Sequence, residues 1–181
     1  MSRKFLFFVL AAGSLLLAGT PATARAGAAL AGLVEIGSGE LRWLGMEVYE
    51  ARLLNGGGRF EDMRESGPLA LEITYRRNIS RERLVRTTER EWSRLGRQLD
   101  LPGRERVGEW LDALATLWPD VAPGDRIAAV VQPGGPTRFY GNDSLLGEIP
   151  DPEFGPAFLG IWLHPATRAA ELRAELIGER P

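Results

Sequence analysis

His164 is the only histidine in a chain of 181 residues, and cysteine is absent altogether. One imidazole without thiolates cannot assemble the His/Cys sets that hold a structural zinc ion. His164 could serve as a lone general base or as an axial ligand to haem; apart from that possibility no cofactor is expected. Met46, Met63, Tyr49, Tyr75 and Tyr140 are the other side chains that could reach an iron. Between Leu163 and Pro165, at the end of an apolar run, His164 reads first as a helix-end residue. No Gly-x-Ser-x-Gly elbow prepares a serine nucleophile. Gly37-Ser38-Gly39 is neither a phosphate-binding loop nor a dinucleotide turn. Asp143 and Asp151 stand among turn formers and are read as turn and cap residues rather than catalytic acids.

The elements that must position any site follow an α+β pattern, strands first and helices after. Leu41 to Leu54 is a strand pair or one long bent strand, ending at the flexible turn Asn55-Gly56-Gly57-Gly58. Pro68 to Arg77 alternates, with Leu69, Leu71, Ile73 and Tyr75 on one face and Ala70, Glu72, Thr74 and Arg76 on the other. That period of two predicts a half-buried strand. Ser80 is placed to cap a helix with Glu82 in its first turn, running to about Gly96–Leu99. Leu84, Thr88, Trp92 and Leu95 line one side. Arg81, Arg83, Arg86, Arg90, Arg94 and Arg97 crowd the other beside Glu82, Glu89 and Glu91. Such a surface is expected to be solvated and laced with ion pairs; the alternative is an anion-binding face.

A second helix is expected over Arg104 to Trp118, burying Val107, Trp110, Leu111, Leu114 and Leu117. Arg126 to Gln132 is the next strand. Thr137–Tyr140 and Leu145–Ile149 form a hairpin about Gly141-Asn142-Asp143. Two helices close the chain, Glu153 to Leu163 and Ala166 to Ile177. The first is apolar almost all round and must be buried.

The N-terminus has a different task. Arg3-Lys4 precede an uncharged stretch from Phe5 to Ala18, and Ala-x-Ala sites end at Ala24 and at Ala26. This is the three-part pattern of a cleavable secretion signal over residues 1–26, too short in its apolar core to span a membrane. The expected mature domain, residues 27–181, is periplasmic and has no membrane span. It keeps all 24 acidic residues against 20 or 19 arginines, for a net charge of about −4 or −5. That balance argues against a nucleic-acid partner. Lys4, the only lysine, leaves with the signal, so no amine remains for a Schiff base.

Several stretches carry a likeness. They are Gly37-Ser-Gly-Glu-Leu-Arg-Trp-Leu-Gly-Met-Glu-Val-Tyr-Glu-Ala51, Leu69-Ala-Leu-Glu-Ile-Thr-Tyr-Arg-Arg77, Glu91-Trp92, Gly124-Asp125, Phe139-Tyr140-Gly141-Asn142, Leu146-Gly147 and the run from Asp151 to Leu163. In that order the chain resembles the bacterial chalcone isomerase-like family, exported relatives of plant chalcone isomerase. The resemblance implies an antiparallel sheet packed against a layer of helices, with the ligand cleft between them. In the plant enzyme an arginine, a strand threonine, a tyrosine and an asparagine orient the chalcone. Here Leu44, Ser80 and Thr87 fall at or near the last three positions, and Arg42 is the survivor. The resemblance therefore implies a non-catalytic binder of a small amphipathic ligand, such as a fatty acid. Its ligand-binding set is taken as Arg42, Tyr49, Tyr75 and Trp92, with Arg42 a buried guanidinium suited to a carboxylate. The alternatives are an isomerase acting on a chalcone-like enone, a haem-binding protein and a partner of another protein.

Overall fold

In the computed structural model, which describes residues 26–63 and 67–179, a short helix α1 (Ala26–Ala29) leads into a hairpin. β1 (Val34–Trp43) pairs antiparallel with β2 (Met46–Asn55), so a strand pair forms rather than one bent strand, and its first strand starts at Val34, well before the expected Leu41. Its turn is Leu44-Gly45, at φ of 50° and 76°, the signature of a type I′ connection. Next come β3 (Leu69–Tyr75), α2 (Arg81–Leu95), α3 (Arg104–Leu117), β4 (Arg126–Val131), β5 (Thr137–Gly141), β6 (Ser144–Ile149), α4 (Phe154–Leu163) and α5 (Ala170–Leu176). The six strands make one antiparallel sheet in chain order, and helices α2 to α5 pack on one face. The expected α+β class is the one observed. Except for its last residue, the expected secretion signal lies outside the described residues.

Capping starts α2 where the sequence places it. Ser80 accepts a hydrogen bond from the Arg83 amide at 3.4 Å, and Asp120 Oδ1 accepts one from the Arg81 amide at 2.8 Å. Two of the first-turn donors that no helix can satisfy internally are thereby paired. The Thr88, Trp92 and Leu95 stripe is buried against the other helices and the sheet. On its outer face Arg81 approaches Glu82 at 3.7 Å, in keeping with an ion-paired surface, while Arg94 holds Glu91 at 2.8 Å in a mostly buried pair beside the stripe. Close packing explains two of the glycines. A Cβ at Gly155 would collide with Val131 and Thr137, so α4 lies directly on the sheet. At Gly37 it would collide with the Glu175 carbonyl oxygen, where α5 crosses β1. The Gly37-Ser38-Gly39 pattern is therefore a helix-crossing point.

The half-buried reading of β3 is corrected. Leu69 to Ile73 are buried on both faces. On the far side of the sheet Leu54, Ala70, Ala128, Val130 and Tyr140 form a second core, packed against Ala29, Leu30 and Leu33. Glu72 is buried there only because its cross-strand partner Arg52 meets it at 2.8 and 3.1 Å. Replacing both Leu30 and Leu33 by alanine is expected to lower stability by about 1–2 kcal/mol in urea unfolding. An unchanged midpoint would show that this leading segment contributes nothing to the fold.

Asp151 performs its expected cap duty and more. It accepts from the Glu153 amide at 3.0 Å, from Trp110 Nε1 at 2.9 Å, and from Arg106 at 2.6 and 2.7 Å. It thus ties α3 to the start of α4. Burial opposes ionisation, but the hydrogen bonds from Arg106, Glu153 and Trp110 outweigh it and hold the carboxyl below its usual range. A depressed native pKa stabilises the fold above the unfolded pKa, and this contribution disappears as pH falls through the native value. Asp151→Asn should therefore lie below wild type in melting temperature at neutral pH and converge with it in strong acid. Parallel melting curves at every pH would contradict this.

Before α5 the chain makes a turn rather than a helix. Thr167 Oγ1 donates to the Ile161 carbonyl at 2.8 Å and accepts from the Ala169 amide at 3.2 Å. The last helix consequently begins at Ala170 and not at Ala166.

Candidate functional site

Tyr49 and Tyr75 are register partners on β2 and β3, and their rings meet edge to face at 6.3 Å. Trp162, near the end of α4, donates its indole N–H to the Tyr49 hydroxyl at 2.8 Å. From there a row of rings runs through the layer between sheet and helices. Trp162 contacts Phe158 at 5.3 Å, Phe158 stacks on Phe154 at 5.5 Å, and Phe154 meets Trp92 and Trp110 at 5.9 and 5.5 Å. Edge-to-face and offset pairs at these separations are the favourable ones. The all-round apolar character of α4 arises here: it supplies three members of the row and touches the sheet and other helices at once.

Part of Tyr49 meets solvent, but its hydroxyl is enclosed by protein atoms. Burial, with the nearby Glu91 charge, pushes its pKa up to about 12 against the opposing Trp162 hydrogen bond. Burial, then the neighbouring Tyr49, likewise raises Tyr75. Both phenols are neutral at physiological pH and can donate. Tyr49 accepts from Trp162, and its own proton meets no acceptor among the described residues. Glu91 lies at the same end of the layer, held by Arg94 at 2.8 Å and approached by Arg168 at 3.5 Å.

Of the four residues expected to bind ligand, the structure brings Tyr49 and Tyr75 together and places Trp92 further along the same row. The Trp92 N–H is committed to the Ala157 carbonyl at 3.0 Å. Arg42 stands apart, and the expectation of a buried guanidinium is corrected. Its side chain is 59% exposed and holds Glu40 at 3.0 Å and Glu47 at 2.8 Å. The reason is local: β1 is an edge strand, and it and the facing strand supply carboxylates within reach. Arg42 lines a polar groove of about 310 Å³ with Gly39, Glu40, Glu171 and Glu175.

His164 Nδ1 accepts the Ala166 amide at 3.0 Å, so this nitrogen is engaged in the turn after α4. Among the described residues no group of His, Asp and Glu side chains is arranged to hold a metal ion. A feature the sequence did not disclose is a groove of about 430 Å³ at the far end of the ring row, with Leu99, Trp110 and Pro156 among its apolar walls and Asp100, Gln132 and Glu153 among its polar ones. Its prolines come from three separate segments, before α3, between β4 and β5 and at the start of α4, and only the fold joins them. The volume lies within the range of small-molecule sites.

A family model described as chalcone isomerase-like matches residues 59–178. An uncharacterized protein of Haemophilus influenzae is 28% identical over 144 residues, covering 80% of this chain and 67% of that protein. The crystal structure of a fatty-acid binding protein of Arabidopsis thaliana is similar with a TM-score of 0.64 at 11% identity, over 82% of this chain and 88% of that one. At that identity the likeness is one of fold. The family match begins after the β1–β2 hairpin, so Tyr75 and Trp92 fall inside it and Arg42 and Tyr49 precede it.

Proposed function

The chain belongs to the chalcone isomerase-like family, and from that membership we propose that it is a periplasmic protein that holds a small amphipathic carboxylate, such as a fatty acid, between sheet and helices without transforming it. The observation that carries this is the Tyr49 hydroxyl, enclosed, neutral, fixed by Trp162 and with its proton unassigned. A neutral donor of this kind suits a carboxylate head group, because a hydrogen bond to a charged acceptor is the stronger sort. The ring row gives an apolar tail its surroundings, and Trp110 at its other end also lines the 430 Å³ groove. The ligand class named for the Arabidopsis thaliana neighbour supports the same choice.

The residues near the plant enzyme's substrate-orienting positions have other employment, which supports binding over isomerisation. Leu44 forms the hairpin turn, Ser80 caps α2, and the Thr87 hydroxyl donates to the Arg83 carbonyl at 2.8 Å. Native mass spectrometry of the purified protein, followed by lipid extraction, tests the binding. An adduct of fatty-acid mass that extraction removes and added fatty acid restores is the expected result. A chain repeatedly empty and indifferent to added fatty acid would refute it. Chalcones and related enones should show no absorbance change above the uncatalysed rate. For the location, N-terminal sequencing of protein recovered from the periplasm should begin at Arg25 or Gly27; an intact Met1 in the membrane fraction would contradict export.

A further inference from the structure

The turn between β1 and β2 carries an apolar tip that the fold leaves uncovered. Trp43 is 67% exposed, Leu44 83% and Met46 45%. Trp43 and Met46 are the last register pair, so their side chains share one face, and Leu44 sits at the apex. The neighbouring strand β3 stops at Tyr75, opposite Tyr49. Four further residues carry the hairpin to Gly45, a projection of roughly 13 Å at strand rise.

The apex is costly in two respects. Leu44 adopts φ 50°, a left-handed conformation that suits glycine or asparagine and strains a leucine. Its side chain recovers nothing in return within the chain, because it meets water. Charges beside the tip balance, three arginines against three glutamates: Arg42 is held by Glu40 and Glu47, Arg76 by Glu50 at 2.7 Å, and Arg77 donates to the Glu47 carbonyl at 3.3 Å. Three side chains on a two-residue turn offer far less than the about 800 Å² per partner of a stable protein interface. They do match the interfacial zone of a bilayer, where an indole and a leucine enter to about 5–10 Å and compensated arginines stay at the headgroups.

We infer that the Trp43-Leu44-Met46 tip inserts into the surface of a lipid bilayer and docks the protein there. The inference does not rest on the ligand proposed above. Because the flanking charges balance, docking persists at high salt and needs no anionic lipid.

The chain has no cysteine, so Leu44→Cys in the full chain can carry a single environment-sensitive fluorophore. Glu105→Cys, exposed at the start of α3 at the opposite end of the sheet, is the control. With phosphatidylcholine vesicles the label at 44 should shift to the blue and be quenched by brominated acyl chains, while the label at 105 should not. Leu44→Asn fits the left-handed turn better and removes the apolar apex. It should melt no lower than wild type, and in co-sedimentation with phosphatidylcholine vesicles the unlabelled variant should bind about tenfold more weakly than unlabelled wild type; equal binding overturns the inference. A label at 44 that stays in water when vesicles are added overturns the inference, whether or not the chain binds them by another segment. So does a blue shift without vesicles that depends on protein concentration, which would make the tip a contact between copies.

Discussion

Trp92→Ala is expected to lower the unfolding free energy by about 3–5 kcal/mol, the largest single-residue effect on the fold. Trp92 is almost fully buried where α2, α3 and α4 meet. Its ring touches Trp110 at 5.5 Å and Phe154 at 5.9 Å, and its N–H donates to the Ala157 carbonyl at 3.0 Å. Truncation removes the transfer energy of the indole, opens a cavity between the three helices, and removes the indole hydrogen bond to the Ala157 carbonyl. Urea unfolding followed by far-UV circular dichroism measures it. Trp92→Phe, which keeps most of the packing but not the hydrogen bond, should fall between. A loss below about 1 kcal/mol for Trp92→Ala would mean that the ring row does not hold the layers together.

Tyr49→Phe should have the largest effect on binding. It removes one oxygen, leaves the ring against Tyr75, and takes away the donor proposed for the carboxylate. A hydrogen bond to a charged group accounts for about 1.5–3 kcal/mol, so the Kd of a long-chain fatty acid should rise on the order of tenfold to a hundredfold. The Trp162 N–H also loses its acceptor, so melting curves must accompany the calorimetric titration; a small fall in stability is expected alongside the larger fall in affinity. Arg42→Ala is the informative comparison. With its guanidinium exposed and occupied by Glu40 and Glu47, its loss should leave affinity within about twofold. The opposite ranking would move the head group to the edge strand.

The frame was legible in the sequence wherever one physical signal acted alone. The cap at Ser80, the stripe of Thr88, Trp92 and Leu95, the turn at Asn142 and the burial of α4 follow from local chemistry. Legibility failed where tertiary contacts decide. The alternation in β3 describes a half-buried strand, but Leu30 and Leu33 from a distant segment cover its second face, and Arg52 compensates Glu72. Ala166 to Ala169 have helix-compatible composition, but the Thr167 hydroxyl competes for the backbone. At the candidate site the tyrosines could be named, while the Trp162 hydrogen bond joins residues 113 positions apart and has no sequence signature. Arg42 was misplaced because a basic residue in an apolar stretch looks the same whether it faces a cleft or two neighbouring carboxylates.

Those two tyrosines and the rings behind them also define the most direct test, a crystal structure of the protein with a long-chain fatty acid bound. The carboxylate should lie within about 3 Å of the Tyr49 hydroxyl, with the tail running among the rings of α4 toward Trp110. A ligand seated elsewhere, with the Tyr49–Trp162 hydrogen bond and the ring row undisturbed and no contact to either tyrosine, would contradict the account.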